Sequence, residues 1–85
     1  MDLSDFIHHL KAEFEDFHAV NLSEQTVLKE IEGWNSMHIL LLVAMIDVKY
    51  NVLLSGEDLK GLGTVKELFE LVKHRANLLS RTNNH

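Results

Sequence analysis

The chain has 85 residues, 13 acidic side chains against 8 basic ones, a formal net charge of −5, no cysteine and no proline. That is the size of one domain with a thin core. It contains no disulfide framework and no thiolate zinc site, and an acidic balance without a basic patch argues against nucleic acid as the main ligand. With 46% hydrophobic and 25% charged residues the composition is that of a folded globule. The lack of proline beside only four glycines favours long helices over turn-rich β architecture.

The first segment, Met1-Asp2-Leu3-Ser4-Asp5, lacks the basic n-region of a signal peptide. The longest apolar run, Ile39 to Ile46, is too short to span a bilayer. The expectation is a cytoplasmic monomer without membrane insertion. Leu3, Phe6, Ile7, Leu10, Phe14 and Phe17 then recur in steps of three and four, the stripe of an amphipathic helix, with Asp2 or Ser4 as its cap.

The pattern weakens from His18 to Asn35. Asn21-Leu22-Ser23 reads as a turn, and Val27, Leu28 and Ile31 as one helical turn packed on the core. A connection this long in a small domain is often functional. Gly33 breaks the chain, and Asn35 or Ser36 supplies an N-cap for a helix from Met37 to Tyr50.

Ser55-Gly56-Glu57-Asp58 opens a brief helical turn that Gly61 and Gly63 close. Thr64-Val65-Lys66-Glu67 has the spacing of a capping box, in which two residues satisfy each other's backbone amides. Behind it Val65, Leu68, Phe69, Val72, Ala76 and Leu79 repeat at helical spacing. The polar stretch 80–85 reads as a flexible tail behind a domain of residues 1–79.

The segment Gly33-Trp34-Asn35-Ser36-Met37 concentrates the functional signal. A serine at a helix head is usually just a cap. Here it follows the only tryptophan and opens a helix that is apolar nearly all round. Wound at about 100° per residue, the helix has one face of Leu42, Ile46, Ile39, Tyr50 and Val43, and another of Leu40, Ala44, Met37, Val48, Leu41 and Met45. A domain this small buries one broad face, which makes the second a candidate partner surface together with Asn35 and His38. Docking there is expected to depend on apolar burial more than on salt bridges.

Asn35-Ser36-Met37 resembles the Asp-Ser-Leu-like tripeptide at the head of the second helix in the acyl carrier protein family. The similarity runs on through Leu40, Leu42, Val43, Ile46 and Tyr50, then Leu62-Gly63-Thr64-Val65 and the last helix, and so covers most of the chain. It implies an all-α four-helix bundle of acyl-carrier type, with three long helices, one short helix and a long first loop. It also implies a non-catalytic carrier whose Ser36 takes a phosphopantetheine arm from a phosphopantetheinyl transferase. The arm would hold acyl intermediates as thioesters for acyl-processing enzymes of fatty acid, polyketide or related synthesis. Phe6, Leu42, Ile46, Leu62, Val65, Leu68 and Val72 would line an apolar interior able to open for the acyl chain. Two features depart from the family pattern: Asn35 replaces the usual aspartate, and His38, Leu41 and Val48 stand where acids are common. Both bear on recognition by a generic, basic-surfaced transferase.

Other readings remain open beside this one. The cargo could instead be peptidyl or aminoacyl, including D-alanyl, or the domain could be an unmodified carrier-like interaction module. A serine hydrolase needs a base beside Ser36, and His38 points to another side of the helix. The six histidines, His8, His9, His18, His38, His74 and His85, show no metal-ligand spacing and read as surface residues.

Overall fold

A computed structural model describes residues 2–14 and 21–82, with side chains as far as Leu78. Phe17 and His18 lie outside the described residues, as do His85 and the side chain of Leu79. The described chain is a compact all-α domain of four helices, three longer and one short, with a long first loop: α1 (Leu3–Glu13), α2 (Ser36–Tyr50), α3 (Gly56–Lys60) and α4 (Val65–Thr82). Among the described residues no helix is long and apolar enough to cross a membrane.

Local chemistry starts and stops these helices. Asp2 caps α1, its carboxylate accepting from the Ser4 amide at 3.4 Å. Ser55 and Asp58 form a reciprocal cap on α3: the Ser55 amide donates to Asp58 Oδ2 at 2.8 Å and the Asp58 amide to Ser55 Oγ at 3.2 Å. The Thr64 amide donates to Glu67 Oε1 at 2.9 Å and the Glu67 amide to Thr64 Oγ1 at 3.1 Å, which is the capping box expected from the spacing. The returning Glu67 carboxylate occupies the space where a Cβ on residue 63 would stand, so a side chain there would push that carboxylate aside. At the other end of α2, Asn51 takes the left-handed conformation at φ 56° and its amide donates to the Asp47 carbonyl at 2.9 Å. A short polar side chain tolerates that conformation better than most, which explains a stop without glycine. α4 continues to Thr82, three residues into the stretch expected to be a tail, because helical backbone bonding does not need the apolar stripe to continue.

The core is one cluster. Phe6, Leu10 and Phe14 enter it from α1 and its C-cap, Leu42, Met45 and Ile46 from α2, and Val65, Leu68, Phe69 and Val72 from α4. Leu59 of α3 joins them, with Leu22, Leu28, Val52, Leu54 and Leu62 from the connections. The seven positions expected to be interior, Phe6, Leu42, Ile46, Leu62, Val65, Leu68 and Val72, are all buried. The first loop contributes a 3-10 turn at Leu28–Glu30, with Leu28 buried and Val27 and Ile31 half-buried, as the sequence suggested. It is tied to the head of α4: the Val65 amide donates to the Thr26 carbonyl at 2.8 Å and the Lys66 amide to the Glu24 carbonyl at 2.9 Å, beside a single antiparallel bridge between Val27 and Thr64.

Arg75 of α4 reaches back to Asp58 of α3 with both terminal guanidinium nitrogens. That hydrogen bond, with the Ser55 amide, lowers the Asp58 carboxyl from 3.8 to about 2. Because the folded value is depressed, the resulting stabilisation is complete above pH 4 and is lost as pH falls from about 4 towards about 2. Arg75→Gln should therefore flatten the acid limb of the stability curve between those values and change its slope little near neutrality, as measured by denaturant midpoints across the range. In the core, Leu68 is 2% exposed. Leu68→Ala should cost about 2–5 kcal/mol in the same unfolding assay, and an unchanged midpoint would contradict the packing described.

Candidate functional site

The head of α2 is shaped by three features in sequence. Gly33 adopts φ 91°, a conformation that glycine enters without a Cβ penalty, and turns the chain out of the loop. Trp34 follows, half-buried, with its amide donating to the Ile31 carbonyl at 3.0 Å. Asn35 is extended and is the N-cap: its Oδ1 accepts from the Met37 amide at 2.8 Å and also caps the amide of His38. Of the two caps the sequence allowed, Asn35 is the one used. Ser36 is thus the first residue of the helix, and it is exposed. The plain explanation for a serine here, that it caps the helix, does not hold.

His38 closes this cap from the other side. The Asn35 amide donates to His38 Nδ1 at 3.2 Å, completing a reciprocal box in which an imidazole stands where glutamate or glutamine is usual. The His38 ring is 7% exposed, stacks on Trp34 with centroids 5.2 Å apart, and lies 5.9 Å from the Phe14 ring. Phe14 and Trp34 are 5.5 Å apart, so the three rings form a wedge between the end of α1 and the first turn of α2. This corrects two expectations, since His38 is neither a surface histidine nor part of an exposed partner face. The spacing Asn-x-x-His equals that of Thr64-x-x-Glu67, and this was the available signal.

The other expected surface residues divide. Met37, Leu40 and Val48 are 61%, 65% and 78% exposed, and Asn35 and Ala44 are exposed beside them. Leu41 is half-buried against the core. Met45 is buried at 4% exposure and belongs to the interior, a further correction to the expected partner face. The buried arc of α2 runs through His38, Leu42, Met45 and Ile46, whereas Ile39, Val43 and Tyr50 are only half-buried. The helix is therefore rotated by about 60° from the face the pattern had placed inward. Leu53, 74% exposed, continues the apolar exposure just beyond the helix.

His8 and His74 are exposed, and His9 is half-buried with its Nδ1 in a 2.9 Å hydrogen bond to the Tyr50 hydroxyl. Burial, with the charges of Asp5 and Asp2, raises the Tyr50 phenol above its usual value, so it stays protonated at neutral pH. Among the described residues no group of three or more metal-ligating side chains comes together.

No family model, curated protein or solved structure matches this chain. The site must be read from its own geometry. That geometry is an exposed serine at the first position of a well-capped helix, beside a stripe of exposed apolar side chains. Because Leu40 and Val48 point away from the core, Leu40→Glu combined with Val48→Glu should leave the melting temperature within a few degrees of wild type. A collapse of the fold in that variant, measured by thermal circular dichroism, would mean the stripe is interior.

Proposed function

We propose that the protein is a carrier domain of acyl-carrier type, with Ser36 as the attachment point for a phosphopantetheine arm. The observation that carries this reading is the position of Ser36: exposed, at the first turn of α2, with the capping role taken by Asn35. A hydroxyl so placed is accessible to a modifying enzyme and held by a fixed backbone. The arrangement of three longer helices, one short helix and a long first loop supports the same reading. So does the tripeptide Asn35-Ser36-Met37 at the head of the second long helix.

The residues present fit such an arm. Its phosphodiester would join at Ser36 Oγ, and its terminal thiol would supply the thioester chemistry that a cysteine-free chain lacks. Asn35 already takes the amides of Met37 and His38, so the helix dipole, more than open backbone donors, favours the phosphate's charge. The apolar interior of Phe6, Leu42, Ile46, Leu62, Val65, Leu68 and Val72 is the part of the domain an acyl chain would have to enter, by displacing packed side chains. Met37, Leu40, Ala44 and Val48 supply the surface on which a transferase and acyl-processing enzymes would dock. Each such side chain is worth about 1.5–3 kcal/mol if fully buried, against about 0–1 for an exposed ion pair. Recognition is therefore predominantly apolar, and the protein works in the cytoplasm as a monomer.

The same surface suits a second reading, an unmodified module that acts by docking alone. One measurement separates the two. Incubated with coenzyme A and a broad-specificity transferase, the protein should gain the mass of one phosphopantetheine, mapped to Ser36 by tandem mass spectrometry. Ser36→Ala should stay folded and gain nothing. Modification persisting in Ser36→Ala would overturn the assignment, and a wild-type chain that stays unmodified would favour the docking module.

A further inference from the structure

Three helices of this domain begin with a reciprocal cap, and one of the three has an unusual member. Ser55 is answered by Asp58 and Thr64 by Glu67, both carboxylates, but Asn35 is answered by the imidazole of His38. A carboxylate accepts a backbone amide at any pH above its acid range. An imidazole does so only through a nitrogen lone pair, and a protonated ring carries a hydrogen on both nitrogens. The Asn35 amide, 3.2 Å from Nδ1, then faces a second donor instead of an acceptor. The new positive charge would also lie in a buried ring at the helix end that is already positive.

We propose that His38 is a proton-operated latch on the head of α2. Neutral, it closes the cap and holds Ser36 at the first helical position. Protonated, it releases the Asn35 amide and loosens the segment from Gly33 to Met37. An imidazole can gain a proton under conditions in which a carboxylate stays ionised, so a cap closed by a ring can respond where one closed by a carboxylate does not.

Phe14 at the end of α1 and Trp34 in the loop both pack against the His38 ring, and neither is titratable. The charged groups near those contacts in sequence are Glu13 on α1 and Glu32 in the loop, both exposed. Glu15, Asp16 and His18 follow Phe14 outside the described residues. On α2 itself Asp47 and Lys49 are exposed, and on the distal half of α4 Lys73 and His74 are exposed while Arg75 is paired with Asp58.

The full chain carries its own reporters. Nitrogen NMR of the imidazole gives the tautomer, the Asn35 amide gives the cap, and emission of Trp34, the only tryptophan, gives the stack. At about pH 8 the Nδ1 of His38 should lack a proton. Once acid protonates the ring, the Asn35 amide should exchange about fivefold to thirtyfold faster relative to its intrinsic rate, the size expected for a lost cap. Trp34 emission should fall in the same step. His38→Gln supplies an oxygen that accepts the amide at every pH, so both steps should vanish. The latch is overturned by a proton on Nδ1 at pH 8, by Asn35 protection that stays constant while His38 titrates, or by the same step surviving in His38→Gln. If His38→Gln fails to fold, the wild-type tautomer and the Asn35 amide still decide.

One further arm rests on the carrier reading: the ratio of Ser36 modification rates at about pH 8 and about pH 5.5, in wild type and in His38→Gln with the same transferase. A ratio differing at least about threefold between the two proteins supports control of Ser36 by the latch. Equal ratios would overturn that control. Absence of modification in both proteins at both pH values speaks against the carrier reading, and the ring and amide measurements then judge the latch.

Discussion

The arrangement of this domain depends on two aromatic clasps between α1 and α2. At one end the Phe6 ring lies 5.6 Å from Tyr50 and 5.5 Å from Phe69 of α4, while His9 is hydrogen-bonded to the Tyr50 hydroxyl. At the other end Phe14 meets Trp34 and His38. Rings at both ends of α2 fix its rotation about its own axis. Such fixing is necessary because the helix is apolar nearly all round and could bury either side at similar gain from water exclusion alone. Tilted and edge contacts between rings add directional preference to that non-directional force.

With the rotation fixed, the surface follows. Leu42, Met45 and Ile46 turn inward, and Met37, Leu40, Ala44 and Val48 are left in solvent. The caps at Asn35 and Asn51 set where the helix begins and ends, and thereby where Ser36 sits relative to that stripe. Serine and stripe are thus positioned by the same contacts. A change in the clasps would alter both the presented hydroxyl and the surface beside it.

How much of this could be read from the sequence differed between elements, for physical reasons. The stripes of α1 and α4 are one-sided, so spacing alone identified Phe6, Leu10, Leu68 and Val72 as interior. The Thr64–Glu67 box and the turn at Leu28 are local and were equally plain. For α2 the pattern had two apolar faces, and winding angle alone put the boundary on the wrong side of Met45. The burial and capping role of His38 were not foreseen because its ring packs on Phe14, which lies far away in sequence, and because imidazole is an uncommon partner in a cap. The pairing of Arg75 with Asp58 joins residues 17 positions apart and leaves no periodic trace. The sequence left Asn35 and Ser36 as alternative caps, and the place of Ser36 as the first helical residue emerged only once Asn35 was seen to hold the cap.

The ties between the first loop and α4 bear on how the chain reaches its fold. The first amides of any helix have no partner within it, and at the head of α4 those of Val65 and Lys66 are met by carbonyls of Thr26 and Glu24. Completing that helix end therefore requires a ring of about 40 residues to close, an entropic cost that grows only slowly with length but must be met before the bonds form. Local helical turns can flicker into place early, whereas this junction belongs to the late, cooperative stage in which distant segments meet. Loop and helix head accordingly form one unit, made and lost together, and the long connection becomes a structural member of the domain instead of a tether between its parts.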